Sequence, residues 1–393
     1  MVSKNSLGGA AKLRHWLDPV TVTLFSTLEK ISMKKTLIAL AALTSIAGVA
    51  QAQSSVTLYG IADAFVGSLS STTRTAGVST KTTNTVIDSG GLASPRFGLR
   101  GVEDLGGGLK AVFALEGGIL VDTGAGNQSG GGLFSRQAFV GVNGGFGTVT
   151  LGRHLTAYDA LRGATNYSDN ALLFSFSQIG AVYGNGVADY TNRTSNSLAY
   201  TSPSFGGFSG ALVVGTGEDK TTGVSASRNN SFHLKYANGP LLVGYAYQNE
   251  RFNGGSSISA IPAPGTAITA ATGERDYNLF GASYDFGVAK ITGSYQAAKQ
   301  KNSAVATNNG KDQEFQAGVT VPFGAAAVSA GYVRSKSDNT GLRATGYSLL
   351  GTYSLSKRTS LYAGGLSRKF DLAAGANGTE KFTAVVAGLR HNF

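Results

Sequence analysis

The chain has 393 residues, a mean hydropathy of +0.01 and a formal net charge of +11, a length that suits two ordinary domains or one large barrel. Gly accounts for 56 residues, Phe for 20 and Tyr for 16, while charged residues make up only 14% against a usual value of about 25%, a balance that favours twisted strands and tight turns. Cysteine is absent, which excludes disulfides, zinc-finger ligands and thiol nucleophiles.

In chain order, the first recognisable element begins at Met33. Met33-Lys34-Lys35 is a basic start, Thr36 to Val49 is an apolar stretch too short to span a bilayer, and Ala50-Gln51-Ala52 is a small-x-small cleavage site carried by Ala50 and Ala52. Residues 33–52 are expected to be a secretory signal peptide, with the mature chain starting at Gln53. Residues 1–32 precede a signal that has its own Met and are expected to be a spurious upstream extension. The leader holds six basic and two acidic residues, which leaves 27 basic and 20 acidic ones, a net +7, in residues 53–393. These charges are scattered, and an exported chain rarely meets nucleic acid. Anionic solutes, outer-membrane lipid and lipopolysaccharide are the expected partners.

After Gln53 no apolar run reaches the length of about 18 residues that a membrane-spanning helix needs. A membrane location would therefore require a barrel, whose strands alternate apolar and polar positions over about ten residues. Phe232, Leu234 and Tyr236 alternate with Ser231, His233 and Lys235. Ala289, Ile291, Gly293, Tyr295 and Ala297 alternate with Lys290, Thr292, Ser294 and Gln296, and Phe315, Ala317, Val319 and Val321 with Glu314, Gln316, Gly318 and Thr320. Tyr347, Gly351 and Tyr353 against Ser348 and Thr352 repeat the pattern. Period two dominates.

A soluble sandwich would also alternate, so the connections arbitrate. Short turn signals recur at 103–108, 143–145, 202–207, 238–240, 285–287, 322–324 and 354–357. Between them lie longer polar connections at 70–89, 217–230, 253–273, 300–311 and 371–379. Short turns on one side and long loops on the other are the pattern of an outer-membrane barrel, and the count gives sixteen strands, wide enough for an aqueous lumen. The interval from Leu155 to Tyr190 alternates too little for two more strands; it is expected to fold into the lumen and narrow it. The last strand places Val385, Ala387 and Leu389 on one face and Gly388, Arg390 and Asn392 on the other, and it ends on the aromatic Phe393. Such an ending is what barrel-assembly machinery reads.

Five ordered blocks, SSVTLYGIADAFV (54–66), SPRFGLRGVEDLGGGLKAVFALE (94–116), SRQAFVGVNGGFGTVTLGRH (135–154), NSLAYTSPSFGGF (196–208) and AGLRHNF (387–393), make the chain resemble the general porins of Gram-negative bacteria, especially the beta-proteobacterial type. The resemblance covers nearly all of 53–393. It implies an all-β fold, a 16-stranded antiparallel transmembrane β-barrel with an inward-folded third external loop, assembled as a homotrimer. It implies a water-filled channel for small hydrophilic solutes and ions, with basic groups on the constriction wall facing acidic groups on the loop. Arg96 and Arg100 point inward if Phe97 and Leu99 face lipid, and Arg136 matches the family's wall arginine. Asp159 matches a loop element of the family, and Asp169 is a further candidate. The acidic loop tip of enteric porins is missing, so the loop's acidic partner stays open. The arginines and the net positive charge point to anion preference.

Competing readings have less to stand on. Gly106-Gly107-Gly108 lacks the G-K-[ST] ending of a phosphate loop. His15, His154, His233 and His391 are too dispersed for a metal site or a triad. No cofactor is expected, and an outer-membrane phospholipase would need a nucleophile motif that is not recognisable. A substrate-specific channel and a non-channel adhesin remain as alternatives, the latter requiring an internal repeat that is not visible.

Overall fold

Eighteen strands, joined into one sheet, make up the barrel in the computed structural model, which describes residues 55–127, 132–167, 190–220, 222, 225–252, 273–301, 310–337, 343–371 and 378–393. In order they are β1 (Ser55–Thr75), β2 (Val78–Ser89), β3 (Arg96–Gly106), β4 (Leu109–Ile119), β5 (Gly126–Asn127), β6 (Gln137–Gly144), β7 (Gly147–Leu155), β8 (Arg193–Thr201) and β9 (Phe208–Thr216). The second half runs through β10 (Arg228–Asn238), β11 (Leu241–Phe252), β12 (Gly273–Asp285), β13 (Lys290–Lys301), β14 (Lys311–Phe323), β15 (Ala326–Ser337), β16 (Arg343–Ser354), β17 (Thr359–Asp371) and β18 (Thr379–Asn392). Among the described residues one helix, α1 (Ala157–Ala164), follows β7.

The sheet closes on itself because β18 pairs antiparallel with β1, from Ile61↔Asn392 to Arg74↔Thr379. The final residue extends this seam: Gly60 and Phe393 exchange backbone hydrogen bonds at 3.1 Å in both directions. Closure pairs the first described strand with the last and so removes the terminal edges of the sheet, the usual site of unwanted pairing. Two of the eighteen strands do not add to the circumference. β5 is a two-residue extension against β4, and β2 and β3 both pair with β1, on its second and first halves respectively, so they are one wall strand interrupted at 90–95. Sixteen positions result, as the turn count predicts.

The interruption has a visible cause. Asp63 on β1 is 1% exposed, and its carboxylate accepts the backbone N–H groups of Gly91 (3.0 Å), Leu92 (2.9 Å) and Ala93 (2.7 Å) and the hydroxyl of Tyr362 (2.6 Å). A buried carboxylate with four donors is fully satisfied, and it replaces the ladder bonds that the break gives up.

Side-chain burial runs opposite to that of a soluble protein. Thr292, Ser294, Gln296, Glu314 and Gln316 are buried, while Ile291, Tyr295, Phe315, Leu349 and Val385 on the alternate positions are exposed. The polar face lines the interior and the apolar face is turned outward, an arrangement stable only when lipid covers the outside. All seven short turns fall where the sequence puts them; for example, Gly239 and Gly324 adopt φ of 54° and 62°, which L side chains rarely do.

The expected long connection at 70–89 is a correction. Residues Ser70–Thr75 pair with Val78–Thr83, and the hairpin turns in two residues, Ala76 (φ 49°) and Gly77 (φ 85°). The reason is chemical: Thr-rich segments are polar yet β-branched, so they pair well, and β2, exposed on both faces over most of its length, needs no apolar stripe. Of the other long connections, 253–272, 302–309 and 372–377 lie outside the described residues.

Candidate functional site

Helix α1 begins where Thr156 (φ −70°, ψ 151°) caps it, its hydroxyl accepting the Asp159 N–H at 3.2 Å. The cap satisfies one orphan donor of the first turn, and Asp159 there complements the helix dipole. The base of the segment is closed by Thr156 N–H to the Asn192 carbonyl at 3.0 Å.

The helix is anchored on inner-wall side chains. Ala157 N–H bonds Ser231 Oγ at 3.0 Å, the Ala157 carbonyl meets His233 Nδ1 at 2.8 Å, and Tyr158 Oη donates to Gln296 Oε1 at 3.0 Å. Tyr158 and Leu161 are buried with Tyr190, Ala246, Tyr277, Leu279 and Ala298, and such burial stabilises by roughly 1.5–3 kcal/mol per large side chain. Beneath them, Gln296 Nε2 donates to Glu314 Oε1 at 2.6 Å. Glu250 Oε1 accepts the Thr191 N–H at 2.6 Å and so holds the returning end of the segment.

Glycines make room for this packing. Gly244 and Gly281 are cross-strand partners, as are Gly318 and Gly331. A Cβ on Gly244 would meet Leu161 at 2.6 Å, on Gly281 Thr165 at 2.5 Å, on Gly318 Tyr167 at 2.7 Å and on Gly331 Tyr167 at 2.2 Å. The two pairs form flat shelves on which residues 161–167 rest. Tyr167 is buried and its hydroxyl bonds Ser348 Oγ; burial pushes its phenol pKa up.

A separate sector of the inner wall carries the arginines. Arg96 and Arg100 share a face with Gly98, and register sets Gly98 between Tyr59 on β1 and Glu116 on β4. Without a side chain at Gly98, Tyr59 reaches across to donate to Glu116 Oε2 at 3.0 Å; a Cβ there would lie 2.7 Å from the Tyr59 ring. Glu116 also takes Arg136 Nε at 2.7 Å and stands 3.9 Å from Arg96 Nη1. The Arg100 guanidinium lies 5.2 Å from the Tyr59 ring centroid, within cation–π range. Arg193 donates from Nε to the Arg136 carbonyl at 2.9 Å and is in electrostatic range of Arg136, Arg153, Asp159 and Glu116.

The structure thus brings Arg96, Arg100 and Arg136 together on one wall. Asp159, the expected loop carboxylate, lies in electrostatic range of the wall's Arg193. Its carboxylate accepts the Tyr190 hydroxyl, which in turn receives Arg162 Nη1 at 2.7 Å, so it ties the two ends of the segment together, while Glu116 is the acid that pairs with the wall arginines. Asp169, Ala50 and Ala52 lie outside the described residues. Glu116 and Arg193 were missed by sequence reasoning. Glu116 had a signal: it sits on the polar parity of β4 across the 103–108 turn, opposite Gly98 and between the levels of Arg96 and Arg100.

A closed ring of sixteen antiparallel strands, polar within and apolar without, carrying an arginine cluster on its inner wall, defines a transmembrane β-barrel channel. A family model described as Gram-negative porin matches residues 39–371. Outer membrane porin protein 32 of Delftia acidovorans is 35% identical over 384 residues, 92% of this chain and 100% of its own. Among solved structures, an anion-selective porin from Comamonas acidovorans superposes with a TM-score of 0.70 at 30% identity, covering 87% of this chain and 100% of that one. A trimer form of OmpT, an outer membrane protein of Vibrio cholerae, shares the fold with a TM-score of 0.60 at 18% identity, over 86% and 99% of the two chains. The chain belongs to the Gram-negative porin family. It is an outer-membrane diffusion channel.

Proposed function

We propose that the channel prefers anions, and that its selectivity is set where the third external loop, the interval from Leu155 to Tyr190, of which 168–189 lie outside the described residues, folds inward and narrows the lumen. The observation that carries this reading is the charge imbalance in the arginine-bearing sector of the inner wall: Arg96, Arg100, Arg136 and Arg193 against Glu116 and the loop's Asp159. A ring of one sign selects ions by its potential, and the arginines belong in the lumen because facing lipid at the midplane would cost about 2–4 kcal/mol each. Asp169 would add to the loop's acidic side. The description of the Comamonas protein as anion-selective supports the same sign.

In this reading small hydrophilic solutes and ions pass without chemistry, and the chain has no enzymatic role. It assembles as a homotrimer, is exported through a signal peptide at 33–52 cut after Ala52, and presents Phe393 to the barrel-assembly machinery. Amino-terminal sequencing of the exported protein should read from Gln53, and native mass spectrometry should give three protomers. The deciding experiment is the zero-current potential of single channels in a planar bilayer under a salt gradient. An anion-selective sign is expected; a cation-selective potential overturns the proposal.

A further inference from the structure

The chain that enters β8 is anchored residue by residue. Tyr190 is held through its hydroxyl, Asn192 through its carbonyl on the Thr156 N–H at 3.0 Å, and Arg193 through Nε on the Arg136 carbonyl at 2.9 Å. Thr191 is held by both of its backbone groups. Its N–H donates to Glu250 Oε1 at 2.6 Å, and its carbonyl accepts Gln248 Nε2 at 2.9 Å. The same Gln248 Nε2 donates to Glu250 Oε1 at 2.6 Å, so three bonds join one backbone residue to two side chains.

Gln248 and Glu250 stand two residues apart on β11 and therefore share a face. They are 0% and 2% exposed, so neither presents itself to a passing ion. Register sets Gly215 on β9, Asn229 on β10 and Glu250 on β11 side by side, and the chain crosses the first of these closely: a Cβ on Gly215 would lie 2.0 Å from Thr194 Cγ2. A carboxylate this buried persists only where hydrogen bonds and opposite charge offset its lost hydration. Both bonds to Oε1 are charge-assisted and short, and Arg275, directly opposite on β12, is in electrostatic range. The strand ladder alone holds Arg193 weakly. Leu155↔Arg193 and His154↔Thr194 are cut off from Gly152↔Ser197 by a register shift, with Asn196 at φ 51°, and a bulge disrupts the ladder around it.

We infer that Gln248 and Glu250 are positioning residues for ion selectivity: by clamping Thr191 they hold Arg193 in the arginine sector of the wall. The inference rests on the proposed anion preference and adds to it a control seated on another part of the barrel. Only Asn192 separates the clamped residue from Arg193, so a shift at Thr191 passes directly to the guanidinium and to its bond with the Arg136 carbonyl.

The test reads the anion-to-cation permeability ratio from zero-current potentials of native channels and of Glu250→Gln, Glu250→Leu, Gln248→Met, Arg193→Gln and the combined Gln248→Met and Arg193→Gln. Two effects of opposite sign separate. Removing the negative charge of Glu250 by itself raises the ratio, whereas releasing Arg193 lowers it. Glu250→Gln keeps an acceptor oxygen for Thr191 and should leave the ratio at or above native. Glu250→Leu and Gln248→Met should each lower it by about two- to fivefold, the upper figure being the effect of one unit charge a few Å from the ion path. Arg193→Gln should lower it by up to about fivefold, and in the Gln248→Met background the two losses should not multiply, since residues acting through one another are not additive. If a clamp variant gives no heat-modifiable barrel, Thr191→Pro deletes the N–H on the other side of the bond and should lower the ratio in the same way. A cation-selective native channel overturns the anion reading. An anion-selective native channel whose ratio is unchanged by Glu250→Leu and Gln248→Met, or in which the losses from Gln248→Met and Arg193→Gln multiply, overturns the positioning role alone.

Discussion

Gly331→Ala tests whether the shelf under Tyr167 holds residues 161–167 in place. The new Cβ would lie 2.2 Å from Tyr167 Cζ, 2.4 Å from Cε1 and 2.6 Å from Oη, and regaining an ordinary carbon contact of about 3.5–4.0 Å requires the ring to retreat by roughly 1.3–1.8 Å. Such a shift breaks the bond to Ser348 and lifts the ring from Gly318. The loss is about 0.5–1.5 kcal/mol for the hydrogen bond and roughly 1–2 kcal/mol of the ring's burial. A penalty of about 2–3 kcal/mol shifts seated against unseated states by roughly 30- to 150-fold. Single-channel recordings should show higher conductance and greater open-channel noise than native protein. Tyr167→Phe, which removes only the hydroxyl, should show a smaller effect. Gly351→Ala, where the nearest atom is Ala363 O at an ordinary 3.7 Å, serves as the control. If Gly331→Ala folds to a heat-modifiable barrel with native conductance and noise, the shelf does not hold the segment and the reasoning fails.

Glu116→Gln removes the carboxylate that offsets Arg96 and Arg136; at about 1 kcal/mol for a charge a few Å away in a watery pore, the anion-to-cation permeability ratio should rise by about fivefold, and a fall would contradict the proposed sign. Asp63→Asn loses half of the acceptor capacity that holds 91–93 and Tyr362, which should destabilise the barrel by about 1–3 kcal/mol, read as a lower urea midpoint. Deleting Phe393 removes the backbone exchange with Gly60, so the folded, heat-modifiable fraction in cell envelopes should drop; an unchanged fraction would rule out a role for this residue in assembly.

How much of this was legible in the sequence depends on the range of the interaction. Alternation at 289–297 and 314–321 gave the face of every residue there, because period two is local. Turn residues gave all seven short connections. The β1–β2 hairpin escaped because Ser and Thr repeat without an apolar face, so its strands carry no periodic signal. Helix α1 escaped in type, though not in place: the interval was recognised as unlike a strand, yet the Thr156 to Asp159 cap was not used. The glycine shelves could not be found at all. That Gly244 faces Gly281, and Gly318 faces Gly331, follows from register across connections of differing length, and alternation fixes the face of a residue without fixing its neighbour on the next strand. The same limit hid Glu116 as the partner of Arg136.

The seam between β1 and β18 joins the first strand of the sequence to the last. No partial chain can form it, so until the carboxyl terminus has arrived every intermediate presents two unpaired borders and an apolar outer surface to water. The pairing that completes the ring is also the most distant in sequence, the kind of contact that forms slowly because loop closure must precede its reward. The molecule's greatest source of permanence is therefore the last thing it acquires, and its vulnerable period is set by the time needed to bring its two ends together.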